Sequence, residues 1–369
     1  MPLPSPAPLP AFPEAPCPGT RLDLVLLGPG LVGRRFLIQL QRQQARLGPR
    51  GYELRLVAVA NSRRMIVDPS GLDPAEAVEA LQIRGEPLDR GTLLALADDD
   101  APAVLVDCTG AEAVAEAYAD FADAGFHLVG ASKLLNAGPL ARYRHLRERL
   151  AEQGLRFHYE TNVGAGLPVI GTLRDLLAGG DVVQRIEGIL SGSLSFIFGL
   201  LEEGTPFSEA VRLARDAGFT EPDPRDDLSG LDVARKALIL HRELGGTLEL
   251  DGVQVEGALP ATFDASGDVR TFLEKLQALD APLRDRVDHL RAEGKVLRFG
   301  ATITPGGCRV GLLEVDRAHP LHAIRGGENA LSFATEAYSP SPLVVRGYGA
   351  GAMVTAAGVL ADVVRLLPH

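Results

Sequence analysis

Between Glu221 and Lys236 (EPDPRDDLSGLDVARK) the chain places five carboxylates, on Glu221, Asp223, Asp226, Asp227 and Asp232, and then an amine. Pro222, Pro224 and Gly230 predict a turn-rich approach to an amphipathic helix. Asp232 and Lys236 stand four residues apart on it and therefore share a face. Carboxylates that can hold an amine, beside an amine that can hold or relay a proton, suit chemistry on a polar small molecule. The same residues also read as an ordinary charged helix start. Ser229 followed by Asp232 fits a capping box, and Asp232 with Lys236 fits a surface pair contributing a few tenths of a kcal/mol.

A second constellation lies near the start. Leu22–Leu27 (LDLVLL) has strand length and apolarity, and Gly28-Pro-Gly30-Leu31-Val32-Gly33 follows it into a helical stretch from about Arg34 to Leu47. Gly28 permits the tight turn, Gly30 lets backbone approach a pyrophosphate, and Gly33 allows close helix–strand packing, with the helix amides facing the phosphates. A lone glycine triplet is weak evidence. Here the strand before it and the helix after it supply the context a dinucleotide site requires. At the end of the next strand (Tyr52–Ala60), where a carboxylate would hold the ribose 2′-hydroxyl of NAD, the chain has Asn61-Ser62-Arg63-Arg64. Arginines pair with a 2′-phosphate, which favours NADP(H) over NAD(H). Thr109, after the strand Ala103–Asp107, is expected at the carboxyl edge of the sheet, where nicotinamide sites occur.

These residues need a scaffold, and the chain has the length for one. Its 369 residues suit two domains, and 46% hydrophobic with 23% charged residues is a globular composition. A net charge of −11 argues against general nucleic-acid binding, and no apolar run approaches the roughly 20 residues a membrane helix needs. Cys17, Cys108 and Cys308 are scattered, without pairing or metal-ligand spacing, as in a reducing, cytoplasmic setting. Residues 1–20 alternate proline with small and apolar residues and read as an extended, disordered tail.

From residue 21 to 157, strands (also Phe126–Val129 and Leu155–Tyr159) alternate with helices (also Glu112–Ala124 and Ala141–Gln153), which predicts a largely parallel sheet covered on both sides. Beyond that, helices Phe207–Ala217 and Phe272–Glu293 and β-like runs Lys295–Ile303, Cys308–Val315 and Leu343–Val345 predict an α+β domain over 158–341. A last helix, Ala352–Leu367, closes the chain. The expected fold is α/β: a Rossmann-type nucleotide-binding domain plus an α+β catalytic and dimerisation domain.

From about Leu22 to Leu367 the sequence resembles the homoserine dehydrogenases, especially the dehydrogenase portion of bifunctional aspartokinase–homoserine dehydrogenases. The resemblance rests on GPGLVG (28–33), VANS (59–62), VDCT (106–109), ETNVGAGLPVI (160–170), ILSGSLSFIFG (189–199), the 221–236 run, RGYGAG (346–351) and VTAAGV (354–359). It implies reversible hydride transfer between L-aspartate 4-semialdehyde and L-homoserine in threonine and methionine biosynthesis. Lys236 and Asp232 match residues implicated in proton transfer, and Glu221 matches a substrate-binding glutamate. Lys133 matches a lysine near nicotinamide and substrate, although its neighbours here, Ser132 and Leu134, depart from the usual context. Gly349 and Gly351 join the cofactor set. Glu160, Val163, Ala165 and Leu167 match a monovalent-cation site, for Na+ or K+, of one carboxylate and several carbonyls. The resemblance further implies a homodimer formed through the second domain, with residues 342–369 returning to the first. Neither a kinase segment nor a regulatory domain is evident, so threonine feedback is not expected.

With such a substrate, Glu221 and Asp227 are the expected ammonium contacts, and Asp223 and Asp226 serve them or the loop. Gly192 and Ser193, in a turn before a helix, offer backbone and hydroxyl hydrogen bonds, or simply cap that helix. His158 and His241 read as structural. The rival readings are a cysteine-dependent semialdehyde dehydrogenase acting through Cys108, disfavoured by the adjacent Asp107, an inert NADPH-binding regulator, and, last, magnesium-dependent phosphoryl transfer without a P-loop.

Overall fold

Seven strands build the first sheet: β1 (Thr20–Leu27), β2 (Tyr52–Ala60), β3 (Arg64–Val67), β4 (Glu86–Pro87), β5 (Ala103–Asp107), β6 (Phe126–Gly130) and β7 (Phe157–His158), in the order β4-β3-β2-β1-β5-β6-β7. The structure is a computed structural model that describes residues 20–97 and 101–367. The expectations for the proline-rich tail and for Cys17 fall outside the described residues, Thr20 excepted. β1, β2, β5, β6 and β7 run parallel, while β3 and β4 add an antiparallel edge. Helices on both faces keep the central strands from water, which is why β1 and β5 read as nearly unbroken apolar runs. Chain order reverses between β1 and β5, so their carboxyl ends open the crevice where such sheets bind ligands.

The first helix, Leu31–Leu47, begins three residues earlier than the apolar pattern suggests, directly at Gly30. It buries Phe36, Leu37, Leu40 and Leu47, each burial contributing roughly 1.5–3 kcal/mol. The last helix, Ala352–Val364, packs beside it through Ala356, Val359 and Val363. The expected helix over 112–124 is two short pieces, Glu112–Glu116 and Tyr118–Asp123. That over 272–293 is interrupted by a 3-10 turn at Leu276–Leu279.

The second sheet contains β8 (Val183–Ile189), β9 (Gln254–Val255), β10 (Lys295–Thr304), β11 (Gly307–Asp316), β12 (Glu328–Thr335) and β13 (Leu343–Tyr348), in the order β13-β12-β8-β10-β11-β9. β8 and β12 at its centre went unforeseen, because VQRIEGI and ENALSFAT carry charged or small residues that mask their alternation. One face packs on helices Gly192–Glu202 and Leu231–Glu243 through Ile186, Phe299, Ile303, Val310 and Phe333. β13 pairs with β12, so residues 343–348 still belong to this sheet and the chain crosses back only after Tyr348, later than the expected boundary at 342. Among the described residues no helix is long and apolar enough to cross a membrane.

Candidate active site

The acidic run folds as two helices meeting at a glycine. Asp223 caps the short helix Pro224–Leu228, accepting from the Arg225 amide at 3.1 Å. Its carboxylate also pairs with the Arg225 guanidinium, which itself donates to the carbonyls of Ala265 and Gly267. Asp223 therefore fixes the loop. Gly230, left-handed at φ 75°, then starts the helix Leu231–Glu243. This corrects the expected capping box. Ser229 closes the preceding helix instead, donating to the Asp226 carbonyl (2.6 Å) and accepting from the Leu231 amide (3.2 Å), and Asp232 is left free to face the cleft.

Asp232 lies between two ammonium groups. Its Oδ2 is 2.8 Å from Lys236 Nζ, one helical turn on, and its Oδ1 is 3.2 Å from Lys133 Nζ, which the loop after β6 delivers. Lys236 is only 12% exposed and also donates to the Leu190 carbonyl at 2.7 Å. Burial alone would raise the Asp232 carboxyl, but the charges of Lys236 and then Lys133 outweigh it and hold the group well below its ordinary value. Lys133 is shifted downward, by burial first and by the charges of Lys236 and Arg235, with Asp232 opposing.

A cleft of about 520 Å³ opens beside this triad, with Lys133, Asp232, Glu221, Asp226, Asp227 and Ser191 in its wall. Asp227 is an organiser. Its Oδ1 accepts from the Ser193 hydroxyl (2.7 Å) and its Oδ2 from the Glu221 amide (2.9 Å), joining the acidic loop to the helix Gly192–Glu202. The carboxylates of Glu221 and Asp226 accept no hydrogen bond among the described residues. Gly192 and Ser193 are the first turn of that helix rather than the turn before it. Ser191, unforeseen, is its cap, accepting from the Leu194 amide at 3.2 Å.

The second cleft, about 230 Å³, lies over the carboxyl ends of β1 and β5, between Gly28, Asn61, Ser62 and Thr109. Its far wall, Leu88 and Arg90, carries no motif that could have announced it. Gly28 takes φ 86°, and a side chain there would strike Thr109 Cγ2 at 2.6 Å. On Gly33 it would lie 2.2 Å from the Gly28 carbonyl oxygen, and on Gly30 it would meet nothing within 4 Å. The helix start at Leu31 and Val32 has no side-chain cap, so its amides remain available to an anion. These residues fit a dinucleotide. Thr109 is held through Asp107, whose buried carboxylate accepts from its amide (2.7 Å) and from the Tyr118 hydroxyl (2.6 Å) and is raised by that burial.

Asn61 lines this cleft and also shapes the turn beside it. Its Oδ1 accepts from the amides of Arg63 and Arg64, closing the β2–β3 turn. Arg64 reaches the Gln82 carbonyl at 2.6 Å, whereas the exposed Arg63 side chain has no partner among the described residues. Gly349 lies against the buried Asn329, where any side chain would overlap the carboxamide, and Gly351 (φ 119°) begins the last helix.

The carboxylate expected to ligate a cation is otherwise engaged. Glu160 accepts from the amides of Val169 (2.7 Å), Ile170 (2.6 Å) and Gly171 (2.9 Å), capping the helix Ile170–Ala178, and pairs with Arg365 at 3.0 Å. Glu160 thus anchors the start of that helix. Among the described residues no group of three or more His, Cys, Asp or Glu side chains could hold a metal ion. Of the three loop carbonyls, that of Leu167 accepts from the Val169 amide at 2.9 Å, and those of Val163 and Ala165 lie in a turn where Gly164 (φ 78°) and Ala165 (φ 52°) are both left-handed. Ala165 is the one such non-glycine among the described residues, the kind of strain that collects at ligand sites.

His158 is pushed down to about 4 by burial and by the charges of Arg174 and Arg365, and His241 is bound to the Thr304 carbonyl. Neither lines the cleft. Burial and the Asp107 charge push the Cys108 thiol up, the opposite of what a reactive thiolate needs.

Comparison with known proteins matches two family models: residues 28–160 to the homoserine dehydrogenase NAD-binding domain and residues 168–364 to homoserine dehydrogenase. The chain is 49% identical over 350 residues to the bifunctional aspartokinase/homoserine dehydrogenase of Haemophilus influenzae, covering 94% of this chain and 43% of that protein. It is 40% identical over 354 residues to a chloroplastic counterpart from Arabidopsis thaliana (94% and 39%). It therefore spans less than half the length of these relatives. Among solved structures, a Candida auris protein of unknown function superposes with a TM-score of 0.86 at 34% identity (94% and 98% covered). A hyperthermophilic archaeal homoserine dehydrogenase in complex with NADPH shares the fold, with a TM-score of 0.72 at 23% identity (94% and 97%).

Proposed function

Because the chain belongs to the homoserine dehydrogenase family, we propose that it reversibly reduces L-aspartate 4-semialdehyde to L-homoserine in the aspartate pathway. The observation that carries this reading is the Asp232 bridge between Lys236 and Lys133, at the edge of a cleft that also holds two unengaged carboxylates. Bound NAD(P)H supplies the hydride for the aldehyde carbon. The residues must then handle the oxygen and the two charged ends of the substrate. An ammonium has three N–H donors. Lys236 commits two, to Asp232 and to the Leu190 carbonyl, and keeps the third for the carbonyl oxygen, where it stabilises the developing alkoxide and delivers the proton. Lys133 adds a second positive charge on the open side, and Asp232 keeps both lysines in place. Glu221 and Asp226 take the substrate ammonium, with Asp227 fixing the loop that presents them.

NADP(H) is the preferred cofactor in this reading. The phosphates sit on the helix start after Gly30, and Arg63 pairs with the 2′-phosphate. A monovalent cation, where bound, rests on the carbonyls of Val163, Ala165 and Leu167. Self-association is assigned to the second domain.

The test is steady-state oxidation of NADPH and NADH with L-aspartate 4-semialdehyde, on the wild type and on Lys236→Ala. The wild type turns over with NADPH at the lower KM. The variant loses about 10²–10⁴-fold in kcat and binds NADPH as before. Tight NADPH binding without turnover in the wild type would instead make the chain a cofactor-binding regulator.

A further inference from the structure

Lys133 lies on the loop after β6 and Asp232 on the helix Leu231–Glu243, and something must hold their charged groups 3.2 Å apart. The pair cannot do so alone. The two side chains are 30% and 47% exposed, and pairs of that exposure contribute little. Ten residues beyond Asp232, on the same helix, the Arg242 side chain is completely buried. Its Nη1 donates to the carbonyls of Asn136 (2.9 Å) and Gly138 (2.8 Å), its Nη2 to the Leu248 carbonyl (3.0 Å) and Glu249 (3.2 Å), and its Nε again to Leu248 (3.3 Å). Every N–H of the fork is engaged.

The segment it grips contains Lys133. The Ala137 amide returns to the Lys133 carbonyl (2.8 Å) and the Gly138 amide to Leu135 (3.1 Å), so 133–138 is one tight turn. Fixing its carbonyls at 136 and 138 fixes the residue at its head. Glu249 extends the grip, because both its oxygens accept from the Leu140 amide (2.9 and 3.0 Å) where the helix Leu140–Glu152 begins without a side-chain cap of its own.

We propose that Arg242 is a positioning residue: it clasps the Lys133 turn onto the helix Leu231–Glu243 and so registers the Lys133 amine against Asp232 and the substrate cleft. Its bearing on turnover rests on the dehydrogenase reading above. A lysine at 242 would keep the charge but, as a compact ammonium, could not span four acceptors.

The experiment compares, in the full chain, Arg242→Lys, Lys133→Ala, the double variant and Glu249→Gln. Two readouts are used: kcat with both KM values, and amide exchange over 133–138. Arg242→Lys should quicken exchange at Ala137 and Gly138 and lower kcat about ten- to a hundredfold, leaving the KM for NADPH nearly unchanged. In the Lys133→Ala background the same substitution should cost no further kcat, because nothing is left to position. Multiplying losses in the double variant, or unchanged exchange, would overturn the proposal. Should Arg242→Lys fail to fold, Glu249→Gln must show the same two changes in milder form, and their absence there would equally overturn it. An inactive wild type would sink the dehydrogenase reading, while the exchange measurement would still decide whether the clasp exists.

Discussion

Arg63 and Arg64 are neighbours whose side chains do different things. Arg64 is tied to the Gln82 carbonyl and Arg63 is not tied to anything described. Arg63→Gln should therefore raise the KM for NADPH about tenfold, the equivalent of one charge-assisted contact at 1.4 kcal/mol, and leave that for NADH unchanged. Arg64→Gln should do much less, and equal effects in steady-state kinetics would count against the assignment. Lys133 offers a second test. Burial lowers its pKa and Asp232 opposes that shift, so the alkaline limb of kcat/KM should fall below the ~10.4 of an ordinary lysine. Asp232→Asn removes the opposing charge and should move the limb lower still. A pH–rate profile whose limb stays put or rises would contradict this. At this scale the residue types were legible in the sequence but not their bonds. Asp227, Asn61 and Glu160 read as ligand contacts, and nothing in the sequence signalled that each also holds backbone amides or a hydroxyl of the protein.

At the scale of elements, the strand–glycine–helix unit was legible because each glycine answers a local demand. The demands differ, and substitution separates them. Gly33→Ala drives a methyl group against the Gly28 carbonyl oxygen at 2.2 Å and should cost about 1–3 kcal/mol of stability together with cofactor affinity. Gly30→Ala meets nothing within 4 Å and should keep its Tm while weakening NADPH binding. Thermal melts with and without NADPH check both, and a lowered Tm for apo Gly30→Ala would be the wrong result. The double-helix reading of 221–236 was less accessible. Whether Ser229 starts one helix or ends another depends on the φ of Gly230, which its tertiary seat against Phe299 and Val310 selects.

At the scale of the molecule, the last helix ties the chain end to the core of the first domain. Asp362 is buried there, accepting from the Glu160 amide (2.8 Å) and Arg365 (2.8 Å), and burial raises it to about 6. A carboxyl raised in the folded state contributes stability that is present below its unfolded value near 4 and is lost as pH rises through about 6. The Tm of Asp362→Asn, relative to wild type, should therefore rise between pH 4 and 8, and a constant difference would refute the assignment. The sequence by itself determined the two-part α/β plan, the dinucleotide turn and the Asp232–Lys236 pair on one helix, because these depend on apolar periodicity, glycine geometry and a four-residue spacing. Only the tertiary structure decided which carboxylates face the cleft, that Lys133 completes the Asp232 bridge, and that Arg242 clasps its turn. Those facts join residues about a hundred positions apart, and a hydrogen-bond partner is chosen by packing, to which local sequence is blind.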